Sequence, residues 1–131
     1  MSSPRCGWVH QLAVTATSTL AQQLAIEAFS EPRFLSAHRP HYARAWQQAK
    51  AALDMYHIPY IEPQGAFYVM CPVVPSGEDA FDFCKRVLND QDVVIVPGTA
   101  FGPNGAQFVR LSFAGRAEGF AETARRLSSL I

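Results

Sequence analysis

The spacing of apolar residues along the chain predicts four helices and three short strands. Apolar side chains recur every three or four residues, the spacing of one helix face, over four segments: 19–29, about 40–57, 78–89 and 117–131. Short β-branched or aromatic runs bounded by turn residues predict the strands: 66–70, 93–96 and 108–113. This order of elements indicates an α+β fold, with helices packed on a small sheet of about three strands.

The last predicted strand contains one charged residue within an apolar run. Arg110 shares a face with Phe108 and Ser112. The opposite face is apolar: Val109, Leu111 and Phe113. A guanidinium here has to reach solvent at a sheet edge or meet an anion, because burying an unpaired charge is costly. Its planar fork fits a carboxylate. The residues alone leave two interpretations open, a ligand-binding Arg110 and a structural ion pair.

The charge balance argues against two classes of partner. Eleven basic and eleven acidic residues give the 131-residue chain a formal net charge of zero. We therefore expect no nucleic-acid or membrane binding driven by bulk charge. The apolar runs are also far shorter than the roughly 20 residues that span a bilayer. With 49% hydrophobic and 17% charged residues, the chain has the composition of one folded domain.

Cysteine and histidine spacing indicates no metal site and no disulfide framework. The three cysteines, at positions 6, 71 and 84, are odd in number and widely spaced, which favours free thiols in a reducing, cytoplasmic compartment. Cys84 lies on the apolar face of a predicted helix, so a core thiol is expected. The four histidines lack metal-ligand spacing, and we interpret them as surface or helix-end residues. Sequence motifs of hydrolases and nucleotide-binding loops are also absent.

Three blocks of the sequence together resemble one enzyme family. The blocks are Pro63-Gln64-Gly65-Ala66-Phe67-Tyr68-Val69, Val94-Ile95-Val96-Pro97-Gly98-Thr99-Ala100-Phe101-Gly102 and Phe108-Val109-Arg110-Leu111-Ser112-Phe113-Ala114. In this order and spacing, followed by an amphipathic helix, they resemble the class I/II aminotransferases. These are fold-type I enzymes that depend on pyridoxal 5'-phosphate (PLP). The resemblance covers nearly the whole chain and implies the C-terminal small domain of such an enzyme.

The resemblance implies a domain division and several site residues. Residues 31–131 look like the small domain, including the long interdomain helix about 40–57, and residues 1–30 look like a remnant of the large PLP-binding domain. Arg110 matches the arginine that holds the substrate α-carboxylate. Phe67 and Tyr68 resemble residues that border the substrate, as does the 97–101 loop. Arg5 resembles an arginine that contacts the cofactor phosphate.

The lysine content bears on catalysis. Only Lys50 and Lys85 are present, against nine arginines. The family's Schiff-base lysine should lie a few residues before Arg5, where the sequence is Met1-Ser2-Ser3-Pro4, and both lysines lie on predicted helices outside the family motif. We therefore expect a C-terminal fragment without a catalytic residue of its own, inactive alone and without bound PLP.

For the full-length enzyme, the resemblance implies transfer of an amino group between an amino acid and a 2-oxo acid, with PLP as cofactor. The implied partners are these two substrates, the large domain and a second subunit of a homodimer, and the implied location is cytoplasmic. Two alternatives remain open. One is a non-catalytic ligand-sensing or interaction domain of an aminotransferase-like transcription regulator, and the other is a related PLP lyase or decarboxylase.

Overall fold

The computed structural model describes residues 9, 12–13, 17–75 and 77–131, and only the backbone of residues 32, 34 and 35. The chain forms two compact units, 1–39 and 40–131. Helix α1, Thr19–Ser30, lies in the first unit and begins after Ser18, whose side chain makes no capping hydrogen bond. Its end before Pro32 follows the prediction, because a residue before proline is disfavoured in the helical region. No described helix combines the length and apolarity needed to cross a membrane.

Helix α2 runs from Pro32 to Met55, so the predicted start near residue 40 is wrong. Proline is favoured in the first turn of a helix, where its missing N–H has no partner to lose. Pro40 is tolerated inside the helix at the cost of one backbone hydrogen bond. The helix ends in a left-handed turn at His57, whose φ is 54°. Ile58 donates its N–H back to the Leu53 carbonyl over 2.9 Å, which closes the end.

A three-stranded antiparallel sheet follows. Its strands are β1 (Tyr68–Cys71), β2 (Val96–Pro97) and β3 (Val109–Ser112), in the order β1-β3-β2. Met70 of β1 and Val96 of β2 lie opposite Arg110 of β3. The α+β class predicted from the sequence is confirmed. The second strand is displaced from the predicted 93–96, because Val93 and Ile95 are buried without joining the ladder.

Two further helices pack with α2 in the core on one side of the sheet. Helix α3, Ala80–Gln91, begins at Asp79, whose carboxylate accepts the N–H of Phe81 over 2.8 Å. Helix α4, Ala117–Leu127, buries the predicted face: Phe120, Ala124 and Leu127.

The buried face of α3 differs from the prediction at two positions. It consists of Ala80, Phe83, Cys84 and Val87. The predicted face included Phe81 and Leu88, which are 58% and 44% exposed. Both stripes have helical spacing, and packing on the sheet selects between them.

The sheet has one covered face and one open face. Side chains directed to the helices are buried: Val69, Cys71, Val109 and Leu111. The opposite face carries Tyr68, Met70, Val96, Arg110 and Ser112, which are half-buried or exposed. The burial pattern of β3 confirms the predicted alternation, and it places Arg110 on the open face.

Candidate functional site

Arg110 lies in the centre of the open sheet face. Strand β3 is the middle strand, so Arg110 is not at a sheet edge, and its side chain is half-buried. Met70 and Val96 flank it directly on the neighbouring strands. Side chains at paired antiparallel positions project to the same face. The guanidinium therefore stands among apolar neighbours on the sheet face opposite the buried one.

Two aromatic rings lie against the guanidinium. Its Cζ is 4.1 Å from the ring centroid of Tyr68 and 4.4 Å from that of Phe101. Both distances are within the range of cation–π attraction. Tyr68 belongs to β1, whereas Phe101 comes from the turn after β2. Two separate elements thus restrict the position of the Arg110 side chain.

The aromatic contacts continue from Tyr68 toward helix α2. The rings of Phe67 and Tyr68 are 4.3 Å apart between centroids, and Phe67 stacks on Tyr42 of α2 at 5.7 Å. Ala66, just before this pair, has a φ of 60°. A left-handed backbone is unfavourable for a residue with a Cβ, so this turn is strained locally. The turn leads into β1, where Tyr68 lies on the open face beside Arg110 and Phe67 packs against the core.

Arg110 has no acidic partner in the described part of the chain. The ion pairs found there join other cations to carboxylates, and no group of the described residues accepts a hydrogen bond from the Arg110 guanidinium. The sequence left open that Arg110 forms a structural ion pair, but no carboxylate among the described residues pairs with it. The N–H edge of the guanidinium remains available for an external anion such as a carboxylate.

The loop after β2 is held in a tight double turn. Two 3-10 turns, Gly98–Phe101 and Pro103–Gly105, follow each other. The Gly98 N–H donates to the Phe108 carbonyl over 2.8 Å, and the Phe108 N–H donates to the Gly105 carbonyl over 3.0 Å. A Cβ at Gly98 would lie 2.8 Å from the Phe108 carbonyl oxygen and would collide with that of Gly105. Close backbone approach therefore requires glycine here and fixes the base of the loop.

An apolar cleft of about 350 Å³ adjoins the loop. It is lined by residues of the loop and by Ile61, Met70 and Phe108. Met70 and Phe101 both belong to this lining and also neighbour Arg110, so the cleft and the cation are adjacent. The arrangement can bind a molecule that combines a carboxylate with an apolar part.

The structure brings together three of the four residues named from the sequence. Tyr68 contacts the Arg110 guanidinium, and Phe67 reaches it only through Tyr68. Arg5 lies outside the described residues. The contact that sequence reasoning missed is that of Phe101. The signal was its place in a glycine- and proline-rich loop, but the loop alone did not indicate which side chain it directs to Arg110.

Both lysines of the chain lie on helices and are paired with carboxylates. Lys50 of α2 pairs with Glu62 at 3.0 Å between Nζ and Oε2, and Lys85 of α3 pairs with Asp82 at 2.6 Å. Neither lysine is among the neighbours of Arg110 described above. Cys71 and Cys84 are buried free thiols, as predicted. Burial raises the pKa of Cys71 to about 12 and that of Cys84 to about 11, so neither is a ready nucleophile. No group of three potential metal ligands occurs within the described segments.

The fold and the site define an α+β unit that exposes an arginine among aromatic side chains. A family model, aminotransferase class I and II, matches residues 8–127. The chain is 33% identical over 110 residues to a probable N-acetyl-LL-diaminopimelate aminotransferase of Bacillus subtilis, covering 81% of the chain and 27% of that protein. It is 29% identical over 120 residues to aromatic-amino-acid aminotransferase 2 of Thermococcus litoralis, covering 89% and 31%.

Solved aminotransferase structures are also similar to this chain. An aromatic aminotransferase from Pyrococcus horikoshii matches with a TM-score of 0.74 and 28% identity, covering 93% of this chain and 34% of that one. An aspartate aminotransferase from Thermotoga maritima matches with a TM-score of 0.73 and 29% identity, covering 93% and 31%. The chain therefore belongs to the class I and II aminotransferase family, which confirms the resemblance. It spans about a third of the length of the relatives it matches.

Proposed function

We propose that this chain supplies the substrate-carboxylate site of a PLP-dependent aminotransferase. In the complete enzyme, an amino group passes between an amino acid and a 2-oxo acid. Arg110 binds the α-carboxylate, and the rings of Phe67 and Tyr68 border the substrate. The observation that carries this proposal is the Arg110 guanidinium, half-buried on the open sheet face between aromatic neighbours and without an acidic partner in the described region.

Family membership supports the cofactor and the domain assignment. The family implies PLP in complete enzymes, and the cofactor supplies the chemistry at the substrate amino group. In this proposal residues 31–131 form the small domain, residues 1–30 belong with the large domain, and Arg5 contacts the cofactor phosphate. Two substrates, the large domain and a second subunit are its partners. The role of this chain is to hold and orient the substrate.

We further propose that residues 1–131 alone catalyse no transamination. Both lysines lie on helices and are paired with carboxylates, so no lysine amine is poised beside Arg110. The chain incubated with PLP and then reduced with borohydride should carry no stoichiometric adduct in mass spectrometry. A single lysine modified to completion would contradict this.

The binding role of Arg110 can be tested on the chain itself. Propionate carries a carboxylate and no amino group, so it probes the site without the cofactor. In an NMR titration of the ¹⁵N-arginine-labelled chain, the Arg110 Nε resonance should shift on binding. Isothermal titration calorimetry gives the propionate dissociation constant of the unmodified chain and of every variant, including those that lack Arg110. Arg110→Ala should weaken binding by about tenfold or more, since it removes hydrogen bonds between charged groups.

Arg116→Ala is the matched control. Arg116 is 90% exposed in its side chain and makes a loose pair with Glu118 at 3.6 Å. Its loss should leave propionate binding unchanged. Equal affinities of the Arg110→Ala variant and the unmodified chain would remove Arg110 from the site.

A further inference from the structure

Phe101 is exposed, yet its ring lies in a defined place against Arg110. Its side chain is 55% exposed, so burial in the core does not hold it. The preceding turn instead sets its position, through the contacts between Gly98, Gly105 and Phe108 described above. At the end of the turn, the Gly102 N–H donates to the Thr99 carbonyl over 3.2 Å. Because the loop backbone holds this exposed ring in place, the ring is expected to act on the side chain it contacts, Arg110.

The ring touches the guanidinium that Tyr68 contacts from β1. A guanidinium attracts ring faces through its own planar face, whereas its N–H donors lie in the plane. The centroids of two rings lie within 4.5 Å of Cζ, and no described group accepts a hydrogen bond from the guanidinium, so its N–H donors are unused by the described residues. The two rings also reduce the number of rotamers open to a long, flexible side chain.

We propose that Phe101 is a positioning residue that orders the Arg110 side chain for carboxylate binding. The proposal rests on the function proposed above for Arg110 and extends it to a residue on a different element. Ordering before binding lowers the entropy lost when the ligand arrives, so affinity rises without a contact between Phe101 and the ligand. The double turn at 98–105 is then the device that holds this ring in place.

The test measures side-chain order and affinity in the same samples. In the ¹⁵N-arginine-labelled chain, the heteronuclear NOE of the Arg110 Nε–H reports its mobility on the picosecond to nanosecond timescale. Arg110→Ala identifies the resonance. In Phe101→Leu, the NOE of Arg110 should fall toward that of exposed Arg116, and the dissociation constant for propionate should rise about two- to fivefold. Phe101→Tyr keeps an aromatic face, so its Arg110 NOE and its dissociation constant for propionate should equal those of the unmodified chain.

Phe81→Leu provides the matched control. Phe81 is also exposed and also lies under a cation, with Lys85 Nζ 5.1 Å from its ring centroid, but it is on helix α3. This variant should change neither the Arg110 NOE nor propionate affinity. Phe101→Met also removes the ring from this exposed position, which provides a second test if Phe101→Leu does not fold.

Three results would count against the inference. An unchanged Arg110 NOE in folded Phe101→Leu would overturn it, as would unchanged propionate affinity despite greater mobility. Failure of Phe101→Tyr to restore order would also overturn it, because the effect would then not depend on the aromatic face. A different result would count against the proposed function of Arg110: in that case Arg110→Ala itself would leave propionate affinity unchanged.

Discussion

At the scale of single residues, two glycines explain how the loop after β2 is built. Gly98 and Gly105 bring their backbones so close that a Cβ on either would overlap the other. Gly102 has a φ of 131°, a conformation that side-chain-bearing residues rarely adopt. These positions leave the loop little freedom. Its exposed tip residue, Phe101, is consequently placed at Arg110.

Gly98→Ala should destabilise the protein by about 1–3 kcal/mol, because the added methyl has to displace backbone rather than a flexible side chain. The measurement is the free energy of unfolding from urea denaturation. Gly115→Ala is the control, since a Cβ at Gly115 meets nothing within 4 Å. Equal stability of the two variants would show that the loop relaxes and that the close approach is not required.

At the scale of elements, charged side chains connect the ends of α3 and α4. Arg126 donates its Nε–H to Glu122 over 2.8 Å and its Nη1–H to the carbonyl of Gln91, the last residue of α3, over 2.7 Å. A cation at the carboxyl end of a helix is favourable. Arg125 also binds Glu122, with its Nη2 2.7 Å from Oε1. Glu122 therefore holds the arginine that caps the neighbouring helix.

Hydrogen bonds from Arg125 and Arg126 lower the pKa of Glu122 from its ordinary 4.5 to about 2. A depressed pKa in the folded state stabilises the protein above pH 4.5, and this contribution is lost as the pH falls toward 2. In urea denaturation, Glu122→Gln should be less stable than the unmodified chain at pH 6. The difference should shrink steadily between pH 4.5 and 2.

Glu118→Gln is the control for this pH dependence, since Glu118 meets only the exposed Arg116 at 3.6 Å within the described residues. Loose exposed pairs contribute little. This variant should follow the unmodified chain across the same range. A stability difference for Glu122→Gln that is constant from pH 6 to 2 would refute the role assigned to the carboxylate.

At the scale of the whole molecule, one hydrophobic core supports the open sheet face in the unit 40–131. Residues of α2, the sheet, α3 and α4 all contribute to it, among them Leu53, Val69, Phe83, Val109 and Leu127. Cys71 and Cys84 belong to the same core. Because their pKa values are raised by burial, their reactivity reports on the opening of this core.

In a Cys6→Ser background, the two remaining thiols should react with a disulfide reagent far more slowly in the native chain than in urea. The reason is that each thiol is buried and its thiolate is disfavoured. Leu53→Ala, which leaves a cavity in the core, should accelerate the reaction. Ile61→Ala, at a 53% exposed position, is the control. Similar thiol reaction rates in the native chain and in urea would show that the core does not protect the two cysteines.

Much of the fold follows from local pattern, and the errors have identifiable causes. The predicted start of α2 near residue 40 is wrong, because the helix begins at Pro32 and continues through Pro40. On α3, Phe81 and Phe83 lie on different helical stripes, and only the position of the sheet decides which is buried. Strand β2 is displaced toward the C-terminus from the predicted 93–96 for a similar reason, because a strand needs a paired neighbour as well as an apolar sequence.

The sequence by itself determined the family, the α+β class and the two faces of β3, because alternation and motif spacing are local properties. It also singled out Arg110 as unusual, since a charge within an apolar strand is visible in the pattern. Only the tertiary structure decided what surrounds that charge. The middle position of β3 depends on pairing with strands that are distant in sequence, and the place of Phe101 depends on how closely the backbones of Gly98 and Gly105 approach each other.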